Sequence, residues 1–236
     1  MVNFKDIQKP YFIGEIGINH NGDLQIAKKL IDAVCACNWH CAKFQKRNPD
    51  VCVPEHQKSV PRETPWGTMT YLDYKYRVEF EKEEYDYIDN YSKQKPIDWT
   101  ASVWDLDSLE FMSQYDVPFL KIPSAKITSL DLLAESAKSG IPIVMSTGMS
   151  ELHEVDTAVN EVLKHTDNLV LMHTNSSYPS PESELNLSLI PFYKERYNCV
   201  IGYSGHEMDL EPTVVAVGSR SISCPEYPIT QLYLSL

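Results

Sequence analysis

Phe119-Leu-Lys-Ile-Pro-Ser124, Ser129-Leu-Asp-Leu-Leu-Ala-Glu-Ser-Ala-Lys-Ser139 and Ile141-Pro-Ile-Val-Met-Ser146 follow one another almost without a break. The outer two are short apolar runs that stop at a serine; the middle one is longer and has helical spacing. The same order recurs along the chain. Strands are predicted over Tyr11–Ile18, Cys41–Gln45, Ile97–Val103, Phe119–Ile122, Ile141–Ser146, Leu169–Thr174 and Val200–Ser204. Helices are predicted over Leu24–Cys37, Glu81–Lys95, Leu106–Tyr115, Ser129–Ser139, Glu151–His165, Leu187–Tyr197 and from about Glu211. Such alternation implies parallel strands joined by crossover helices, and strands buried on both faces read as near-continuous apolar runs. The fold class is therefore α/β, a TIM-type (β/α)8 barrel in which seven units are visible and the eighth is incomplete. Residues 1–217 form the barrel domain, and 218–236, mixing Ser, Pro and Tyr, form a divergent tail of the kind a frameshift leaves. Lys46–Lys75, rich in Pro, Gly and charge, is the one long irregular stretch, and loops of that length are usually functional or mobile.

Composition limits the function. The 236 residues are 43% apolar and 23% charged, as in ordinary globular proteins. No export signal opens the chain and no run approaches a membrane span, so a cytoplasmic location is expected. A formal charge of −12 argues against nucleic-acid binding but permits a locally basic cleft. Six cysteines without a CxxC pair are no disulfide scaffold; Cys35, Cys37, His40 and Cys41 are either a metal cluster or reduced thiols packed between a helix and a strand.

In parallel α/β folds the active site lies at the carboxyl ends of the strands. Here those ends carry Glu15 with Asn19 and His20, Lys43 with Gln45, Thr100 with Ser102, Lys121 with Ser124, Ser146, then His173, Asn175, Ser176 and Tyr178, and finally Ser204 with His206. Two lysines among serine hydroxyls suit a phosphate beside a carboxylate. Glu15 and His206 could hold a divalent metal or move a proton. Lys43 and Lys121 are embedded in apolar strands, unlike solvated surface lysines. His173 reads equally as a hydrogen-bonded core histidine or a catalytic one.

The motifs Glu15-Ile-Gly-Ile-Asn-His-Asn-Gly22, Lys43-Phe-Gln45, Thr64-Pro-Trp-Gly67, Ser146-Thr-Gly-Met149, His173-Thr-Asn-Ser-Ser-Tyr-Pro-Ser-Pro181 and Gly202-Tyr-Ser-Gly-His206 resemble those of the sialic acid synthase family, in order, from about Tyr11 to Val217. The resemblance implies condensation of phosphoenolpyruvate with an N-acylated amino hexose to give a nonulosonic acid and phosphate. It implies catalytic Glu15, Lys43 and Lys121. Ser102, Ser124, Ser146, Ser176 and Ser204 would join the lysines around phosphoenolpyruvate, and Asn175 would also contact substrate. Glu15, Gln45, Tyr178 and Tyr71 or its neighbours would meet the sugar. His206 would be one of two histidines on Mn²⁺ or Mg²⁺, which would polarise the sugar aldehyde. A homodimer is the family expectation.

The chain departs from the family pattern in three places. Lys126 stands where many members have a carboxylate. No histidine follows His206, so the second metal ligand is missing, although Glu226-Tyr-Pro-Ile-Thr230 echoes the motif that carries it with Pro228 in the histidine position. On the same reading, the family's small C-terminal antifreeze-like domain is expected to be missing. These departures imply weak turnover, weak metal binding and open sheet edges on the first and seventh strands. Two further readings stand beside the leading one: a degenerate fragment that binds phosphoenolpyruvate without turnover, and a related condensation on a sugar phosphate. A second phosphate would need extra cations, for which the long loop offers Lys46, Arg47, Lys58, Arg62 and Lys75.

Overall fold

The structure is a computed structural model that describes residues 1–7 and 9–218 in full and the backbone of Ile229–Tyr233. Its strands are β1 (Tyr11–Gly17), β2 (Cys41–Lys46), β3 (Pro61–Thr64), β4 (Gly67–Thr70), β5 (Asp98–Val103), β6 (Leu120–Ile122), β7 (Ile143–Ser146), β8 (Leu169–Thr174), β9 (Val200–Ser204) and β10 (Ile229–Tyr233). All but β3 and β4 form a closed parallel barrel, in the ring order β1-β2-β5-β6-β7-β8-β9-β10. The helices are α1 (Leu24–Ala36), α2 (Pro49–Cys52), α3 (Glu55–Lys58), α4 (Tyr71–Val78), α5 (Lys82–Gln94), α6 (Leu106–Met112), α7 (Leu130–Lys138), α8 (Leu152–Leu163), α9 (Leu189–Arg196) and α10 (Glu211–Gly218).

The helices begin where their sequences supply caps. Asp23 accepts from the backbone N–H of Gln25 and Ile26 at the start of α1, and Glu81/Glu84 and Glu151/Glu154 form reciprocal capping boxes on α5 and α8. Along α1, Ala27, Leu30, Ile31 and Val34 recur at three- and four-residue spacing and are fully buried.

The strands alternate between two cores, and that period places the site. In β2, Ala42 and Phe44 pack outward against the helices, whereas Cys41 joins Ile13, Val144, Val170, Met172 and Val200 inside the barrel. Lys43 and Gln45 share the parity of Cys41, Glu15 that of Ile13, and Ser146 that of Val144. The inward positions are thus apolar at the base and polar at the carboxyl ends. Below, Phe4 plugs the barrel, tilted on Phe119 at 5.6 Å and edge-on to Tyr11 at 6.3 Å.

The sheet edges differ from the sequence expectation. Ile229–Tyr233 pairs in parallel with Tyr11–Glu15 on one side and with Tyr203–Ser204 on the other, so the edges of β1 and β9 are covered. Among the described residues the eighth unit is represented by the strand Ile229–Tyr233. Residues 219–228, including most of the Glu226–Thr230 echo, lie outside the described residues. The long stretch after β2 is also more ordered than its composition suggests. It holds α2, α3 and an antiparallel β3/β4 hairpin, whose turn is closed by the Thr64 hydroxyl donating to the Gly67 carbonyl at 2.6 Å. Among the described residues no three His, Cys, Asp or Glu side chains converge as metal ligands. The cysteines of α1 and β2 are free thiols, and His40 stacks on Tyr11 at 4.9 Å while accepting from the Phe12 N–H.

Candidate active site at the barrel mouth

Parallel register sets the neighbours. Glu15 lies beside Lys43, Gln45 beside Ser102, and Ser102 beside Lys121. A register shift between Glu15 and Gly17 breaks the regular pleat of β1 where Glu15 turns into the barrel. These groups enclose a cavity of about 320 Å³, lined also by Ser124, Ser146, Ser176, Tyr178, Ser204 and His206. Of the residues expected from the sequence, Asn175 and Tyr71 line neither this cavity nor the one beside it, and for Asn175 the reason is local. Its amide is spent on its own loop, donating to the Glu184 carbonyl at 2.9 Å and accepting from the Ser177 N–H at 2.9 Å. Thr100 is likewise structural, its hydroxyl donating to the Phe119 carbonyl at 2.5 Å. His173 proves to be a core histidine, with Nε2 2.7 Å from the Leu185 carbonyl and its pKa lowered by burial.

Two lysines form the floor. Lys43 forms an ion pair with Glu15 and donates to Ser102 Oγ at 3.1 Å. Lys121 donates to Ser146 Oγ at 2.5 Å and to the Ile122 carbonyl at 3.0 Å. Both lysines are buried. Desolvation pushes the Lys121 pKa well below the usual lysine range, the Lys43 charge adds to this, and Glu15 opposes it. Gly148 closes one wall. Its N–H donates to Ser124 Oγ at 2.9 Å, and a Cβ at this position would stand 2.1 Å from Ser176 Oγ. Only glycine allows the backbone so near both serines.

At the rim, Tyr178 stacks on His206 at 4.0 Å, with the hydroxyl 2.9 Å from His206 Nε2. Burial is the main reason the His206 pKa falls to about 4, helped by the nearby Lys43 charge, so the ring is neutral at pH 7. Glu15, Gln45, Tyr178 and His206 also face a second cavity of about 500 Å³, which extends to Asn19, Trp39 and Leu210. Two adjoining cavities sharing one polar wall can hold two reactants side by side. As to a metal, His206 is the imidazole that the described residues bring here; with Nε2 engaged by Tyr178 and no three-residue donor cluster among them, the described side chains do not assemble a divalent-metal site.

The sequence reading missed Trp104, which lines the cavity under the Arg47 guanidinium at 4.6 Å, and Met149, 73% exposed at the rim. Trp104 directly follows β5, so its position past a strand end was a usable signal. Lys46 lies on the opposite parity to Lys43 and points into the helix layer, donating to the Phe80 carbonyl at 2.7 Å. It is therefore withdrawn from the set of cations available to a second phosphate.

Residues 30–222 match the NeuB family. The chain is 35% identical over 230 residues to the N-acetylneuraminate-9-phosphate synthase of Drosophila melanogaster, covering 94% of this chain and 61% of the relative. It is 30% identical over 216 residues to the N,N'-diacetyllegionaminic acid synthase of Campylobacter jejuni, covering 89% of this chain and 65% of that one. The chain thus spans about six-tenths of the length of these relatives. Its structure superposes on the N-acetylneuraminic acid synthetase of Leptospira borgpetersenii, crystallised with citrate, with a TM-score of 0.84 at 29% identity, covering 96% of this chain and 73% of the other. A truncated 3-deoxy-D-arabino-heptulosonate 7-phosphate synthase of Thermotoga maritima shares the fold at a TM-score of 0.69 and 9% identity. With the family match running from within α1 past α10, and the barrel-mouth residues falling on the motifs read from the sequence, the chain belongs to the NeuB family of sialic acid synthase-like enzymes.

Proposed function

We propose that the barrel mouth binds phosphoenolpyruvate in the 320 Å³ cavity and an open-chain N-acylated amino hexose in the adjoining one, and joins them into a nonulosonic acid. The observation that carries this reading is the pair of buried lysines, each bonded to a serine hydroxyl, on the floor of a cavity of substrate size. Lys43, Lys121 and the hydroxyls of Ser102, Ser124, Ser146, Ser176 and Ser204 would receive the phosphate and carboxylate. C3 of phosphoenolpyruvate would attack the sugar aldehyde, forming the carbon–carbon bond and leaving cationic character at C2. Water adds there, the C2–O bond to phosphate breaks, and the carbonyl of the α-keto acid remains. The fixed lysine and serine donors stabilise the departing phosphate without reorganising. Glu15, held by Lys43 and Gln45, would orient the sugar and its developing alkoxide. No step is assigned to a metal, since the described residues do not fit one.

A second reading, a phosphorylated sugar as acceptor, draws on the hairpin and α4. Burial and the Arg47 charge lower the Lys75 pKa to about 8, and Arg62 shares with Lys75 the faces of Tyr71, at 4.8 and 5.1 Å. Those cations lie outside the two cavities. Incubation with phosphoenolpyruvate and N-acetylmannosamine, or its 6-phosphate, with mass-spectrometric detection of the nine-carbon product, tests both. Product from the free sugar supports the first reading, product from the phosphate alone supports the second, and binding without product points to a non-catalytic phosphoenolpyruvate-binding chain.

A further inference from the structure

Three charged side chains are buried just beyond the mouth and take no part in the site as described. Glu79, at the end of α4, has a side chain only 1% exposed; Arg47 and Lys46, at the end of β2, are 7% and 8% exposed. Glu79 Oε1 accepts the Arg47 backbone N–H at 2.9 Å, Oε2 lies 3.5 Å from Arg47 Nε, and Lys46 Nζ lies 3.4 Å from Oε1. Burying such a trio costs stability that packed apolar residues would not, so something besides stability must be sought for it.

The Arg47 guanidinium leads back to the site. It lies over Trp104, and its terminal nitrogen donates to Gln45 Oε1. Gln45 Nε2 in turn donates to Glu15 Oε1 at 3.3 Å. This chain has one consistent polarity. Guanidinium can only donate, so the amide oxygen must face it; an ionised Glu15 can only accept, so the amide NH2 must face the carboxylate. Without Arg47, Gln45 could rotate by a half-turn and present either end to the sugar cavity. The anchor that fixes Arg47 is Glu79, which reaches it through both backbone and side chain.

We propose that Glu79 and Arg47 are positioning residues that set the orientation of the Gln45 amide, so that its NH2 is offered to Glu15 and its neighbouring sugar cavity. Neither lines that cavity; both act through Gln45. The inference rests on the proposed function for its consequence, recognition of the sugar, but not for the structural link itself.

The test reads the Gln45 side chain in ¹H–¹⁵N spectra of the full chain, its NH2 pair being identified by disappearance in Gln45→Leu. Glu79→Gln removes the anchoring charge at constant shape. Arg47→Met keeps an apolar stem beside Trp104 and removes every donor. In both folded variants the Gln45 pair is expected to move toward the shifts of a solvent-exposed glutamine. The affinity for N-acetylmannosamine at saturating phosphoenolpyruvate is expected to fall tenfold or more, with phosphoenolpyruvate affinity changed less than threefold. In the Gln45→Leu background, Arg47→Met should add no further loss, which a merely structural role would not produce. An unmoved Gln45 pair in folded variants, or an undiminished Arg47→Met effect without Gln45, overturns the proposal. If Arg47→Met does not fold, Glu79→Gln and Arg47→Lys carry the same readout, since one ammonium cannot span Gln45 and Glu79 as a guanidinium does. Wild-type protein that binds no phosphoenolpyruvate would defeat the functional reading, and the Gln45 resonances would still decide this one.

Discussion

Binding of phosphoenolpyruvate should draw a proton into the site, and Lys121 should be the group that takes it. In the free protein Lys121 is buried, its nitrogen bonded to a hydroxyl and a carbonyl, with the Lys43 charge also acting on it; burial favours the neutral amine. A phosphate placed about 4 Å away, at an effective dielectric near 20, would favour the ammonium by about 4 kcal/mol per unit charge. That is roughly a thousandfold in proton affinity, in the direction of the charged amine. Isothermal titration at pH 8 in buffers of contrasting ionisation enthalpy measures the uptake as the slope of apparent heat against buffer heat. The slope should show net proton uptake in the wild type and fall close to zero in Lys121→Met. A zero slope for tightly binding wild type, or the same slope without Lys121, would refute the assignment of Lys121 as a neutral amine poised for an anion.

Other parts of the structure have their own tests. Gly148→Ala must displace Ser176 and Ser124, so phosphoenolpyruvate affinity should drop at least tenfold in a protein with near wild-type melting; calorimetric Kd values decide it. Phe4→Ala opens a cavity at the barrel base and should cost about 3–5 kcal/mol in urea denaturation while leaving that Kd within twofold. Burial lowers the His20 pKa to about 4, with the ring stacked on Phe80 at 3.9 Å. The unfolded chain takes up this proton near 6.5 and the folded chain only near 4, so His20 contributes fully above pH 6.5 and loses up to about 3 kcal/mol as pH falls to 4. His20→Phe should flatten that part of the stability profile measured by denaturation at each pH. Mn²⁺, titrated by electron paramagnetic resonance, should bind with a Kd no tighter than about millimolar, and chelator should leave phosphoenolpyruvate affinity unchanged.

Much of this was legible in the sequence because the barrel imposes a simple period. Lys43, Lys121 and Ser146 each interrupt an apolar run at its carboxyl end, and that interruption is what a side chain turned into the mouth looks like. The strands from β1 to β9 around the ring, with helices α1 and α5 to α9, fall within two or three residues of the spans read from periodicity, whereas α2, α3 and α4 lie in or beside the stretch read as irregular. What escaped was set by tertiary pairing. Ile229–Tyr233 follows Pro228 in a Ser/Pro-rich context and has no apolar pattern of its own; its strand character comes from lying between β1 and β9. The β3/β4 hairpin is largely exposed, so no alternation betrays it. Glu79 reaches Arg47 across 32 residues, and nothing local distinguishes it from the surface acids around it. Asn175 sits in the right motif but turns to the Glu184 carbonyl, a choice made by the following loop rather than by its strand.

The most direct test of the account is a ³¹P spectrum of phosphoenolpyruvate titrated with the folded chain, first alone and then with N-acetylmannosamine and Mg²⁺. The account predicts a phosphoenolpyruvate resonance that shifts with protein and does not shift with Lys121→Met, followed by slow appearance of inorganic phosphate once sugar is present. A resonance untouched by stoichiometric folded protein at millimolar concentration would contradict it.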